Sequence, residues 1–186
     1  MVHDLIRKRQ SEVQRSGADW ENFVMNFCNK ELRTNGIALI KGKEIDDNRI
    51  KYSMLWNTLS IPVNDGKVWG DIDLVVIDGK QRPIAVISCK TSLHGRFTET
   101  LFYSLLFRQH KKIKLVFATP DKGRQQKTGV WQSEWGNEER PTKDRQLAGA
   151  YLDGVYVHNE KTKLGGILKS LKELPEDLLV WSKQTS

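Results

Sequence analysis

Two aspartates, a serine and a lysine carry the chemistry this chain could perform. Asp71 and Asp73 lie in Trp69-Gly70-Asp71-Ile72-Asp73-Leu74-Val75-Val76, and Ser88 and Lys90 end the run Ile84-Ala85-Val86-Ile87-Ser88-Cys89-Lys90. Both runs are rich in Val and Ile, as strands buried on both faces are. A charged group there is costly unless it is paired or binds a metal. A carboxylate oxygen favours Mg²⁺, and an ammonium can orient a nucleophilic water or offset the charge on a phosphate. Strand side chains alternate between faces, so Asp71 and Asp73 share one side, as do Ser88 and Lys90. The competing reading of Asp73 and Lys90 is a structural ion pair.

The elements that must position these groups follow from the pattern around them. Asp78-Gly79-Lys80-Gln81-Arg82 reads as a tight turn, so the two runs pair as a hairpin that brings Asp73 within reach of Lys90. Before them, Trp20, Phe23, Val24, Phe27, Cys28 and Leu32 recur at helical spacing, with Asp19 as N-cap and Asn35-Gly36 as the stop. A charged helical pattern from Asp4 to Arg15 precedes this helix. Ile37 to Ile40 reads as a short strand, and Ile50 to Val63 as one or two strands. Thr98 to Arg108 reads as a helix with Leu101, Phe102, Leu105 and Leu106 inward, and Ile113 to Ala118 as a further strand. The polar stretch 121–146 is a long excursion anchored only by Trp131 and Trp135, followed by a strand over Leu152 to His158 and a helix over Leu164 to Leu174. The order describes one α/β domain around a mixed sheet flanked by helices, with a core over about 17–118 and a closing strand and helix over about 151–180.

Composition narrows the class. With 186 residues and 38% hydrophobic content, the chain is long enough to bury a sizeable core. Its net charge of +7 fits a polyanionic partner without requiring one. Cations concentrate between Arg108 and Lys127, where Asp121 is the lone acid. The start lacks the apolar core of a secretory signal, and no run reaches the ~18 apolar residues of a membrane span, so a soluble cytoplasmic protein is expected. Two cysteines, Cys28 and Cys89, read as packed thiols, and the four histidines are too scattered for zinc.

Gly70-Asp71-Ile72-Asp73-Leu74-Val75-Val76, a turn, Ile84 to Lys90 and then a helix together resemble the PD-(D/E)xK nuclease core over roughly residues 17–118. The resemblance aligns Asp73 with the motif aspartate and Lys90 with the motif lysine, and matches Glu21 to the glutamate of the preceding helix. Ser88 stands where the family carries a carboxylate. Ser-x-Lys variants among restriction enzymes imply replacement by a glutamate of the next helix, here Glu99, nine residues after Lys90. Lys90-Thr91-Ser92 to Arg96-Phe97 is similar to a stretch of several restriction enzymes in which the arginine faces phosphate.

That resemblance implies a restriction-endonuclease-like fold and Mg²⁺-dependent hydrolysis of duplex DNA, with Mn²⁺ able to substitute. Asp73, Glu99 and Glu21 would hold the metal, Lys90 would help generate and aim the attacking hydroxide, and Ser88 would orient water or Lys90. Arg96, Lys111, Lys112 and Lys114 are candidate backbone contacts. Products would carry 5′-phosphates. The overall likeness is to the small subunit of a heterodimeric type IIS restriction endonuclease, whose larger partner reads the sequence and nicks the other strand. A homodimeric repair or junction nuclease and a non-catalytic DNA-binding subunit with a decayed site are the alternatives.

Overall fold

Alternating apolar side chains build a sheet that is covered on both faces. The computed structural model describes residues 2–93, 97–110, 113–125 and 129–184, without the side chains of residues 2–14, 108–110 and 125. Its first half runs α1 (Val2–Leu32), β1 (Ala38–Lys41), α2 (Gly42–Asp47), α3 (Ser53–Leu59), β2 (Ile61–Val63), β3 (Gly66–Val68), β4 (Leu74–Ile77) and β5 (Pro83–Cys89). Its second half runs α4 (Phe97–His110), β6 (Lys114–Thr119), β7 (Arg124–Gln125), β8 (Trp131–Gln132), α5 (Lys143–Tyr151), β9 (Gly154–Val157), β10 (Leu168–Ser170) and α6 (Leu174–Gln184).

Six strands form a mixed sheet in the order β1-β4-β5-β6-β9-β10. β4 is antiparallel to both β1 and β5, whereas β5, β6, β9 and β10 run parallel. Leu74 and Val76 of β4, with Ala85, Ile87 and Cys89 of β5, point toward Trp20, Val24 and Cys28 of α1 and Leu174 and Leu178 of α6. Val75, Ile77 and Val86 point the other way, toward Leu55 and Leu59 of α3, Leu101 and Phe107 of α4 and Ala148 of α5. Burying each of the Val, Leu, Ile and Phe side chains among them contributes about 1.5–3 kcal/mol. Among the described residues no helix is long and apolar enough to cross a membrane.

The β4–β5 turn is built by Asp78. Its Oδ1 accepts the N–H groups of Lys80 (2.9 Å) and Arg82 (2.8 Å), and its Oδ2 meets Arg82 Nε at 2.7 Å. Gln81 takes the left-handed conformation (φ 59°) there.

Several elements differ from the sequence expectation for identifiable reasons. α1 runs unbroken through Asp19, which therefore caps nothing, and Gly36 (φ 71°) ends the short 3₁₀ turn that follows. The expected strands over Ile50 to Val63 are largely α3, because Leu55 and Leu59 lie one helical turn apart and bury together. The expected helix over Leu164 to Leu174 is a loop, β10 and a 3₁₀ turn. Gly165 (φ 133°) and Gly166 (φ 58°) leave helical backbone, and a Ser170–Glu173 capping box starts the helical region. On α4 the inward face carries Phe97, Thr100, Leu101, Ser104 and Phe107, while Phe102 and Leu105 are exposed. Thr100 and Ser104 tolerate burial because each hydroxyl is hydrogen-bonded. The polar excursion is rooted by Trp135, fully buried and packed edge-on against Phe97 and Phe117.

Candidate active site

The antiparallel β4 and the parallel strands bring the start of β4 and the end of β5 to one edge of the sheet. Asp73 immediately precedes β4 and Lys90 immediately follows β5. Lys90 is held in place by its own N–H, which donates to Ala118 O of β6 at 3.1 Å. Asp71 and Asp73 lie on a bend rather than within the strand. Gly42, at the start of α2, donates its N–H to Asp73 O at 2.8 Å. A Cβ at Gly42 would lie 1.8 Å from Ile72 O, so the bend carrying both aspartates seats directly on this glycine.

The Lys90 ammonium is 8% exposed and lies between two carboxylates, 2.7 Å from Asp71 Oδ2 and 3.0 Å from Asp73 Oδ2. Asp73 Oδ2 also accepts the N–H of Cys89 at 2.7 Å. The Asp71 contact is a close ion pair without hydrogen-bond alignment, leaving that enclosed Oδ2 with no aligned donor. Burial works against the charge on Lys90, but Asp73 and Asp71 outweigh it and hold its pKa above the ordinary value. Asp73 is pushed above the usual carboxylate range by burial and by Asp71, with Lys90 and the Cys89 N–H pulling the other way. Glu21 on α1 is raised by burial and by Asp73.

Glu21, Asp71 and Asp73 line an open cleft of about 300 Å³, together with Asp46, Asp47 and Lys43 of α2. Lys43 is already paired with Asp47 at 2.7 Å. This wall would repel an anionic phosphodiester unless a cation lay between them. Among the described residues no three His, Cys, Asp or Glu side chains are gathered tightly enough to enclose a metal. Mg²⁺ does not need that, since it is commonly held by one or two carboxylates, waters and substrate phosphate oxygens. The hard oxygen donors of Asp71, Asp73 and Glu21 around this cleft are of the type such an ion takes.

The structure thus brings together Asp73, Lys90 and Glu21, and adds Asp71. Its signal in the sequence was the two-residue spacing from Asp73, which placed both on one side without assigning Asp71 a role. Glu99 is exposed on the first turn of α4 and is not among the charges that act most strongly on Asp73, Lys90 or Glu21. Ser88 is buried and hydrogen-bonded to Thr100 Oγ1 of α4 at 2.9 Å, behind the cleft rather than in it. Lys114 opens β6 at the end of the sheet opposite Lys90, where it pairs with Asp153 at 3.1 Å. Arg96, Lys111 and Lys112 lie outside the described residues.

Comparison with known proteins agrees with this architecture. No curated protein matches the sequence. Among solved structures, the fold is similar to that titled the crystal structure of pre-specific restriction endonuclease BsaWI–DNA complex, with a TM-score of 0.54 and 14% identity over 98% of this chain and 69% of that one. At that identity the likeness speaks for the fold. A family model described as BsaWI restriction endonuclease type 2 matches residues 44–177, a span that includes both aspartates, Lys90 and the excursion beyond β6. By that match, the chain belongs to the BsaWI type 2 restriction endonuclease family, and DNA cleavage is the activity its membership implies.

Proposed function

We propose that this chain, as a single nuclease domain, cuts one strand of duplex DNA with Mg²⁺, as the small subunit of a heterodimeric type IIS restriction endonuclease whose larger partner reads the sequence. The observation that carries the catalytic part is the buried Lys90 ammonium clamped between Asp71 and Asp73 beside an acidic, open cleft. The subunit part rests on the overall likeness of the sequence to such a small subunit, and the reconstituted pair tests it.

In this mechanism Asp73 and Asp71, with Glu21 beside them, would hold the divalent ion. Such an ion supplies charge neutralisation at a non-bridging phosphate oxygen and lowers the pKa of water. Lys90, kept charged by its two carboxylates, positions the attacking water and offsets the negative charge that develops on the phosphoryl oxygens as the bond to O3′ breaks. O3′ leaves as the 3′-hydroxyl with a proton from water. The Cys89 N–H fixes the orientation of Asp73, and Ala118 O fixes the backbone of Lys90. Ser88 supports the end of β5 through Thr100. The products carry 5′-phosphate and 3′-hydroxyl ends.

Plasmid cleavage by the chain reconstituted with its partner tests the reading. The wild-type pair should linearise the plasmid, and a pair carrying Asp73→Ala should only nick it. Full linearisation by the Asp73→Ala pair would refute the assignment.

A further inference from the structure

A second cavity, of about 540 Å³, opens where the excursion meets the loop after β9. Arg124, Arg140, Lys161 and Lys163 line it, with Trp131 and Glu134 among the other walls. All four cations are exposed, and among the described residues none is in an ion pair. Other exposed cations, Lys30 and Lys183 among them, also have no ion pair among the described residues; these four differ in lining one concavity. Four cations gathered around one concavity give it a positive potential that attracts an anion, although water and salt screen exposed charges.

The position of the cavity says which anion. The excursion leaves from the end of β6 and the Lys161–Lys163 loop from the end of β9, and both strands run parallel to β5. The cavity therefore opens at the same sheet edge as Lys90. Its wall is tied to the segment after Lys90, because the buried Glu134 carboxylate accepts the N–H of Leu93 at 3.3 Å. The acidic cleft lies at the β1–β4 side of this edge and the basic cavity at the β6–β9 side. From β4 to β9 is three strand spacings, about 14 Å. A nucleotide advances about 3.4 Å along a duplex strand, so this separation corresponds to roughly three to five nucleotides.

We infer that the cavity lined by Arg124, Arg140, Lys161 and Lys163 grips the DNA sugar–phosphate backbone roughly three to five nucleotides from the phosphate presented to Asp73 and Lys90. The inference rests on the proposal that duplex DNA is the substrate. The two sites divide the electrostatic work. The basic cavity supplies affinity, and the acidic cleft, which opposes DNA on its own, receives the scissile phosphate with a divalent cation.

The test is the salt dependence of binding between the full chain and a short duplex carrying the cut position, measured by fluorescence anisotropy with Ca²⁺ in place of Mg²⁺. Arg140→Ala/Lys163→Ala should lower the log–log salt slope by about 1.8 and weaken binding about 60-fold at 0.1 M salt. Lys30→Ala/Lys183→Ala, which removes the same charge from exposed helix positions away from this edge, should leave the slope unchanged. Neutral methylphosphonates placed three to five nucleotides from the cut should weaken wild-type binding but not that of the cavity variant. An unaltered slope in the cavity variant overturns the inference, as does failure of the wild-type chain to bind duplex at any salt. Loss of binding to the partner subunit with an unaltered DNA slope also overturns it, by assigning the cavity to an acidic protein surface. The nuclease reading is separable by a different readout: cleavage in Mg²⁺ by the reconstituted pair should be lost in Asp73→Ala, and full cleavage there would refute the nuclease site without bearing on the salt slope of the cavity variant.

Discussion

Lys90 lies closer to Asp71 than to Asp73, at 2.7 Å against 3.0 Å, although Asp73 is the residue that matches the nuclease motif. The ammonium is therefore shared, and neither carboxylate is neutralised completely. Asp73 and Glu21 remain above the usual carboxylate range, with burial the largest cause of each shift. Glu21, Asp71 and Asp73 set against the one ammonium of Lys90 leave the cleft short of positive charge, which favours a divalent ion there.

Asp73→Ala or Lys90→Ala should slow strand cleavage about 10²–10⁴-fold, the range for loss of a positioned catalytic group. Single-turnover cleavage of a labelled duplex by the reconstituted pair measures it. A variant retaining more than a tenth of the wild-type rate would contradict the roles assigned here.

Glu21 and Glu99 should separate cleanly. Glu21→Gln removes a half-buried carboxylate that feels both Asp73 and Lys90, and should reduce the cleavage rate about 10–100-fold. Glu99→Gln changes an exposed side chain and should leave the rate within a few-fold. The same single-turnover assay, repeated across a Mg²⁺ titration, should show a raised metal requirement for the Glu21 variant alone.

Metal should stabilise the fold. Mg²⁺ or Mn²⁺ at ten times its Kd adds about 1.4 kcal/mol, which for a chain of this size raises Tm by about 3–6 °C. Scanning calorimetry with metal and again after chelation reads the shift. It should vanish in Asp73→Ala, and its persistence there would place the ion elsewhere.

Asp78 makes a pH-dependent contribution at the far end of the hairpin. Burial opposes its charge, but the N–H groups of Arg82 and Lys80 and the Arg82 guanidinium hold its pKa below the ordinary carboxylate value. A depressed folded-state pKa gives stability that is present above the unfolded value of about 3.9 and is lost as pH falls through the folded one. Urea unfolding should therefore show Asp78→Asn about 1 kcal/mol less stable than wild type near neutrality, with the difference closing as pH falls through the depressed folded-state pKa.

Legibility in the sequence followed how local each determinant is. The pairing of the two apolar runs was readable because two Val/Ile-rich runs flank turn residues, whereas the register shift between Val76 and Ile77 was not. Glu21 could be offered as a carboxylate of the first long helix and was matched to a motif position by family resemblance, since nothing in its own helix marks it. The site's aspartate spacing was visible, yet the sharing of Lys90 was not, because it depends on a bend seated against Gly42. Short apolar runs misled where two periods compete, as at Ser53–Leu59. On α4, hydrophobicity alone chose Phe102 and Leu105 as inward. The hydroxyls of Thr100 and Ser104 find partners inside, and the tertiary packing takes them instead.

The β4–β5 hairpin separates length from geometry. Its chain reversal at Asp78–Arg82 lies about 14 Å from the start of β4, a distance set by four residues of strand. Extra residues spliced between Gly79 and Lys80 would lengthen the path from Asp73 to Lys90 without moving either one, because each is fastened by neighbouring elements, Asp73 by α2 and Lys90 by β6. The molecule can thus accept a fluorophore or tag at that bend while its cutting edge stays in register.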